Sequence, residues 1–345
     1  MKVSKKGARS TEHLLWMHRF AVITACAAFG LIIAGGLVTS TDSGLAVPDW
    51  PLSYGQIMPP MVGGIFYEHG HRMMATFVGL LTTILAFWIW RSEERGWVKA
   101  LGWVALIAVV VQGVLGGLTV LYLLPTPISV AHATLAQSFF CLTIVIALVT
   151  SPFWRQYRAG ELPTIGKVRR WTVAASAAIF LQLILGALIR HTGSALAIPD
   201  FPFSYGALLP PMDAGSLSTI NETRLAMDLP SVELSQVWIH FAHRIGAMLV
   251  VCIVSACVWQ IFTNFKYEAK LREPALIILL LLGVQILLGA LTVWTGRSVE
   301  VTTAHVAGGA LLLGVSVILS VRSYQLYRLP SASVSIELVP EAGRS

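Results

Sequence analysis

Eight runs of this sequence are apolar for long enough to cross a lipid bilayer, and no other feature restricts the fold so sharply. They fall at about 17–40, 70–91, 100–123, 128–150, 171–191, 237–262, 275–295 and 299–321, and roughly 20 apolar residues span the hydrocarbon core. Inside that core every peptide group must find its partner within the protein, so runs of this length predict helices. Composition agrees, with 56% apolar and 12% charged residues against roughly 25% charged in a soluble domain. Such a chain is neither a soluble enzyme nor a nucleic-acid-binding module. Its net charge of +7 concerns membrane sidedness instead. The expected fold class is an all-α polytopic membrane protein.

Eight spans place both termini on one side. That side collects Lys2, Lys5, Lys6, Arg9, Arg19, Arg91, Arg95, Lys99, Arg155, Arg158, Lys167, Arg169, Arg170, Lys266, Lys270, Arg272, Arg322, Arg328 and Arg344, 19 of the 24 basic residues. The positive-inside rule makes it the cytoplasmic face. Arg72, Arg190, Arg224, Arg244 and Arg297 remain outside. The basic amino end raises a signal peptide, but the run that follows is too long for a signal core and reads as a retained helix. Its lack of amphipathicity speaks against a mitochondrial presequence, so a prokaryotic cytoplasmic membrane is expected. Cys26, Cys141, Cys252 and Cys257 all fall within spans, which predicts free thiols packed among helices and no disulfide framework.

The chain is internally duplicated. Residues 35–61, GGLVTSTDSGLAVPDWPLSYGQIMPPM, and 186–212, GALIRHTGSALAIPDFPFSYGALLPPM, agree at 15 of 27 positions with an offset of 151. VQGVLGGLTV (111–120) and VQILLGALTV (284–293) agree at seven of ten with an offset of 173. Two tandem four-helix bundles follow, 1–160 and 161–345, with about 22 extra residues before 237 in the second. Duplicated membrane proteins are often transporters with inverted repeats. Here the repeats are parallel, and the elaborated segments read as lids at the outer interface.

Four of the nine histidines fall near the outer ends of even-numbered spans and map onto one another through the repeat. His71, in EHGHR, matches His243, in WIHFAHR, and His132 matches His305. A lone intramembrane histidine is more often a hydrogen-bonding or interfacial residue, whereas four at one depth, paired by the duplication, point to function. Two imidazoles on facing helices can hold a haem, so two halves would hold two. A bare divalent metal would want a carboxylate or thiolate to complete its shell, and the second half has none beside its histidines. Gly116, Gly117, Gly289, Gly308 and Gly309 would leave room for a flat macrocycle. Arg72 and Arg244 follow the first histidine of each half and would pair with propionates or anchor the helix at the interface. His13, His18 and His191 are expected to be solvated.

The halves differ at one telling position. Three residues before the first histidine stands Glu68 in one half and His240 in the other, and i, i+3 side chains share a helical face. A carboxylate there could take up protons or stabilise developing positive charge; the competing reading pairs Glu68 with Arg72. Chemistry is therefore expected in the first half and a permanent cofactor in the second. Whether His69 and His240 contribute is left open.

Together, the eight spans, the repeated GGLVTSTDSGL loop, EHGHR, the later His-Arg and the two further histidines resemble the haem A synthase family over about 17–321. The resemblance implies oxidation of the C8 methyl of haem O to the formyl group of haem A by successive hydroxylations, for terminal oxidases. It implies substrate or product haem at His71 and His132 with Glu68 catalytic, and haem b at His243 and His305. Haem O is then the substrate, membrane lipid the surroundings, an unidentified electron donor a partner, and haem O synthase and the cytochrome oxidase assembly machinery further candidates. Many bacterial members carry a cysteine pair in the first outer loop; residues 41–66 contain none. Alternatives are a dihaem electron-transfer cytochrome, which would benefit from haems at two depths, and a haem chaperone or exporter, which would need no counterpart of Glu68.

Overall fold

The computed structural model describes residues 5–156, 160–161, 165–211 and 213–328. Lys2, Arg158 and Arg344 lie outside the described residues, as do the side chains of Lys5, Lys6, Arg9 and Arg328. Eight long helices cover the eight apolar runs: α1 (Lys5–Ser40), α2 (Gly63–Ser92), α3 (Gly96–Leu121), α4 (Thr126–Thr150), α6 (Ile165–His191), α8 (Leu234–Asn264), α9 (Ala269–Trp294) and α10 (Val299–Leu326). All eight are long and apolar enough to cross a membrane. The all-α expectation holds. Two short helices were not anticipated, α5 (Pro152–Gln156) and α7 (Ala214–Ala226), the latter built from the extra residues of the second half. A two-residue parallel pairing of β1 (Gly160–Glu161) with β2 (Tyr327–Arg328) ties the linker between the halves to the end of α10. The division drawn at 160/161 runs through β1.

Each half closes as a ring of four helices in which every helix packs on two neighbours. α1, α2, α3 and α4 form one ring and α6, α8, α9 and α10 the other. Consequently α2 stands diagonally opposite α4, and α8 opposite α10. The halves meet along α1–α10, α4–α6 and α4–α10. Apolar side chains turn outward as well as inward, Ile107 at 62% and Leu280 at 63% exposed, as expected where the surroundings are lipid. Two of the four free cysteines, Cys26 and Cys252, sit on such outward faces, and only Cys257 is fully buried. The expectation that all four pack among helices therefore fails for those two.

Helix starts lie earlier than the sequence boundaries, because polar first turns such as GGIFYEHG dilute the apolar signal without breaking the helix. Pro274 lies inside α9 and is buried. Proline cannot donate to the carbonyl four residues back, here that of Lys270; Arg322 on α10 donates to it instead, at 3.2 Å. The turn between α3 and α4 places Leu123 and Leu124 at φ 57° and 60°, where the second half has Gly296 and Arg297 at 59° and 69°. Beneath the bundle Glu93 is buried and accepts from Arg95 at 2.8 Å and Arg155 at 2.5 Å. Burial alone would raise its pKa, but these two guanidiniums outweigh it and pull the carboxyl down to about 2.

Candidate haem site

The outer loop of each half is folded by the same few bonds. Asp49 accepts the backbone N–H groups of Tyr54 and Gly55 at 2.6 and 2.8 Å, and Tyr54 donates its hydroxyl to the Ala46 carbonyl. The Gly55 N–H in particular holds the Asp49 carboxyl below its ordinary range. In the second half Asp200 accepts from Tyr205 and Gly206, and Tyr205 donates to Ala197. Trp50 lies against α3, where a Cβ on Gly117 would come within 2.5 Å of its ring.

The residue preceding each first histidine by three docks this loop to the helix. Glu68 accepts the Val47 N–H at 2.7 Å, and His240 accepts the N–H of Ile198, the repeat counterpart of Val47, at 3.2 Å. The other Glu68 oxygen takes Arg72 at 2.5 Å. The Glu68 carboxylate thus faces the loop, fully engaged. Arg72 also donates to the carbonyls of Asp49, Leu52 and Val47. Arg244 does likewise to Phe203, Ile198 and Asp200. Both guanidiniums, expected at propionates or as anchors of the helix, are threaded into the loops, where a folded loop end presents several carbonyls at once to a forked donor. Among the described residues Arg244, unlike Arg72, hydrogen-bonds only carbonyls, lies over the Phe201 ring and has no bonded carboxylate.

His71, His132, His243 and His305 fall on α2, α4, α8 and α10, one pair per ring on opposite corners. His71 does not open its helix but lies eight residues in, and His243 nine; His132 and His305 each lie six residues in. Members of each pair are within electrostatic reach of one another. The Nδ1 atoms of His71, His132 and His305 are buried with no hydrogen-bond partner. Unpaired buried polar atoms are rare in folded proteins, so their concentration on three of the four histidines fits imidazoles that serve a ligand. Among the described residues no three His, Cys, Asp or Glu side chains gather as a shell for a bare metal ion. A pair of opposed imidazoles in each ring is a donor set that would fit haem iron.

A glycine on the preceding helix seats every one of the four rings. A Cβ on Gly35, Gly116, Gly186 or Gly289 would lie 3.1, 3.1, 3.4 or 3.2 Å from Cε1 of His71, His132, His243 or His305. Next to Gly35, Gly36 faces Thr303 and Val306 beside His305. Three glutamines, missed in the sequence reading although two lie in its aligned VQ segments, donate to histidine carbonyls. Gln112 serves His132 at 2.9 Å, Gln182 serves His243 at 2.8 Å and Gln285 serves His305 at 2.8 Å. The glycines expected to clear space for a macrocycle mostly clear it for protein groups: Gly116 and Gly289 for imidazoles, Gly117 for Trp50, Gly308 for Gln285, and Gly309 for Leu183 and Gln285.

Of the remaining histidines, His69 is buried and bonded to Ser53 at 2.8 Å. His13 is exposed and accepts from Trp88. His18 bonds the Ala147 carbonyl of the neighbouring α4 at 2.9 Å, so the expectation that it is solvated is wrong: its helix position faces α4. His191 is partly buried at the end of α6.

Comparison with known proteins finds relatives of one kind. The chain is 27% identical to a protein named heme A synthase from Lysinibacillus sphaericus, with 88% of this chain and 94% of that one covered. It is 26% identical to a heme A synthase from Geobacillus kaustophilus, covering 90% and 92%, and 28% identical to one from Halalkalibacterium halodurans, covering 84% and 92%. Residues 18–64 and 61–317 match the COX15-CtaA family, described as cytochrome oxidase assembly protein. On that match, which takes in both rings and all four histidines, the chain belongs to the COX15-CtaA family.

Proposed function

We propose that the chain is a haem A synthase, a membrane oxidoreductase that converts the C8 methyl of haem O to the formyl group of haem A. The observation that carries this reading is the twice-built pair of opposed histidines, three of them with a buried, unpartnered Nδ1, in a chain whose relatives bear that name. Bound haem would supply the redox chemistry. His71 and His132 hold the substrate haem in residues 1–160, and His243 and His305 hold a haem b in 161–345. Each ring leans on its glycine, which would hold the imidazole in place towards a bound haem.

Glu68 is the catalytic residue in this reading. His240 docks the second loop in the same way without a charge, so docking does not explain a carboxylate at 68. Its negative charge, one helical turn from His71, stabilises positive charge developing at the oxidised carbon or accepts its proton. Arg72 bonds that carboxylate and braces the loop that excludes water. Arg244, bonded only to carbonyls, offers its charge to the propionate edge of the second haem.

Both termini are cytoplasmic, the histidine sites lie near the outer face, and the membrane is a prokaryotic cytoplasmic one. Haem O arrives from its synthase, electrons from a separate donor, and the product goes to oxidase assembly. Reporters fused near Arg95 should behave as cytoplasmic and those at Asp49 and Asp213 as external; a cytoplasmic signal at Asp49 would reverse the orientation. The decisive experiment extracts pigment from the purified chain and identifies it by mass. Haem B together with haem O or haem A is expected, and haem B alone in both halves would replace this reading with an electron-transfer cytochrome.

A further inference from the structure

The glutamine and glycine that serve each histidine lie on one helix, four residues apart: Gln112 and Gly116 on α3, Gln182 and Gly186 on α6, Gln285 and Gly289 on α9. Residues i and i+4 share a helical face. The glycine therefore seats the ring while the amide, one turn away, donates to the same histidine's carbonyl. That carbonyl already serves its own helix, and the amide takes its second lone pair. The histidine is thus fixed at both ring and backbone.

Only α1 breaks the pattern. Gly35 seats His71, but four residues earlier stands Leu31, and among the described residues no side chain donates to His71, whose Nδ1 is left unpartnered. The facing residue has changed with it. In the second half a Cβ on Gly246 would lie 2.3 Å from the Gln182 amide oxygen, and one on Gly308 would lie 2.6 Å from that of Gln285. These glycines, each three residues after its histidine, admit the amides. The repeat counterpart of Gly246 is Met74, whose Cε fills the space beside Gly30. The second half has glutamine and glycine at both histidines, whereas the first has one glutamine and neither glycine.

A permanent cofactor and a substrate make opposite demands on their ligands. A cofactor must stay; haem O must enter and haem A must leave in every cycle. We propose that Gln112, Gln182 and Gln285 are positioning residues for three of the four haem-binding histidines, and that the Leu31–Met74 pair leaves His71 as the ligand that yields, making it the point of haem exchange. The inference rests on the assignment of both histidine pairs to haem.

The test uses full-length, haem-loaded protein in detergent with excess apomyoglobin as acceptor, the captured haem being identified by mass. Wild type should release haem O or haem A from the first half faster than haem B from the second. Loss of an outer partner of a metal-binding histidine costs about 10–100-fold in affinity, so Gln182→Leu should speed haem B release about tenfold. Leu31→Gln with Met74→Gly should slow release from the first half by a similar factor and raise the low-spin fraction when imidazole competes. Leu31→Met with Met74→Gly, which supplies no amide, should do neither. The inference is overturned if the graft and its amide-free control behave alike. Where the graft does not fold, Gln182→Leu and Gln285→Leu decide alone, and unchanged haem B release with either overturns it. Wild-type protein that carries no haem would overturn the haem assignment, whereas haem released at rates indifferent to these substitutions overturns this inference alone.

Discussion

The outer rims of the two halves solve one problem with different chemistry. Both must hold a PD-aromatic-P-x-SYG loop over a helix end; the first uses Glu68 locked to Arg72, and the second uses neutral His240 beside Arg244. Because the loops have the same internal bonds in either case, the carboxylate is dispensable for architecture. A similar contrast holds at the inner ends. Glu93 binds Arg95 and Arg155 in the first half, and the repeat counterpart in the second is Phe265, buried and packed edge-on against Tyr327. Duplication keeps the frame and lets charge diverge within it, so the positions where charge survives in only one half are the ones to probe for activity.

The largest effect is expected from the second histidine pair. His243→Ala or His305→Ala should abolish the six-coordinate, low-spin haem spectrum of the carboxyl-terminal half while the first half keeps its pigment, since His240, the imidazole one turn from His243, is engaged with the Ile198 N–H. An unchanged spectrum in the double substitution would erase the comparison altogether. Next comes Glu68→Gln, which preserves size and one of the two acceptor oxygens but removes charge. Haem should remain in both halves, haem O or a partly oxidised product should accumulate, and turnover should fall about 100-fold or more, the scale of losing one electrostatic partner of a transition state. His240→Gln should change turnover far less. Full haem A production by Glu68→Gln would reduce Glu68 to an anchor.

The inner ends separate by pH. The folded-state pKa of Glu93, about 2, lies below its ordinary 4.5. Its contribution is therefore complete above about pH 4.5 and is lost as pH falls towards 2. Glu93→Gln should cost about 3 kcal/mol at neutral pH by leaving two guanidiniums without their buried partner, and should flatten the acid limb of a thermal-stability profile. No such limb should come from Phe265. The smallest effect is expected at the α3–α4 turn. Leu123→Gly should stabilise by about 1 kcal/mol, because a left-handed leucine is strained by roughly that much and the second half already uses Gly296 there. Destabilisation in a denaturation series would mean that the leucine side chain has a packing role outweighing its backbone cost.

The spans, the parallel halves and the four histidines were legible because each leaves a periodic or repeated trace: an apolar run of membrane length, or a residue recurring at a fixed offset. What stayed hidden was direction. Sequence placed Arg72 beside His71 but could not tell a guanidinium facing a ligand from one threaded into loop carbonyls, since both need the same residue at the same helical position. Helix starts were set too late because Glu68, His69 and His71 are polar yet face inward, so the apolar window closes before the helix does. The glutamines carried a repeat signal, Gln112 matching Gln285, but an amide within a span reads as ordinary helix glue until its acceptor is seen to be a histidine carbonyl. The bonds of His18 arise only from the juxtaposition of α1 and α4, which no local pattern encodes.

Gly35 and Gly36 make α1 a party wall. One face of this wall is the backing of His71, and the other, a single residue along, abuts Thr303 and Val306 on either side of His305. Packed helices ordinarily stand 8–10 Å apart, with side chains setting the spacing; two adjacent glycines remove that padding from both faces at once. His71 and the neighbours of His305 thus lie against the same stretch of α1, which carries no side chains of its own at 35 and 36. A methyl group added at 36 would thicken the partition without touching the His71 seat, and one added at 35 would press on the ligand while leaving the neighbouring chamber as it was.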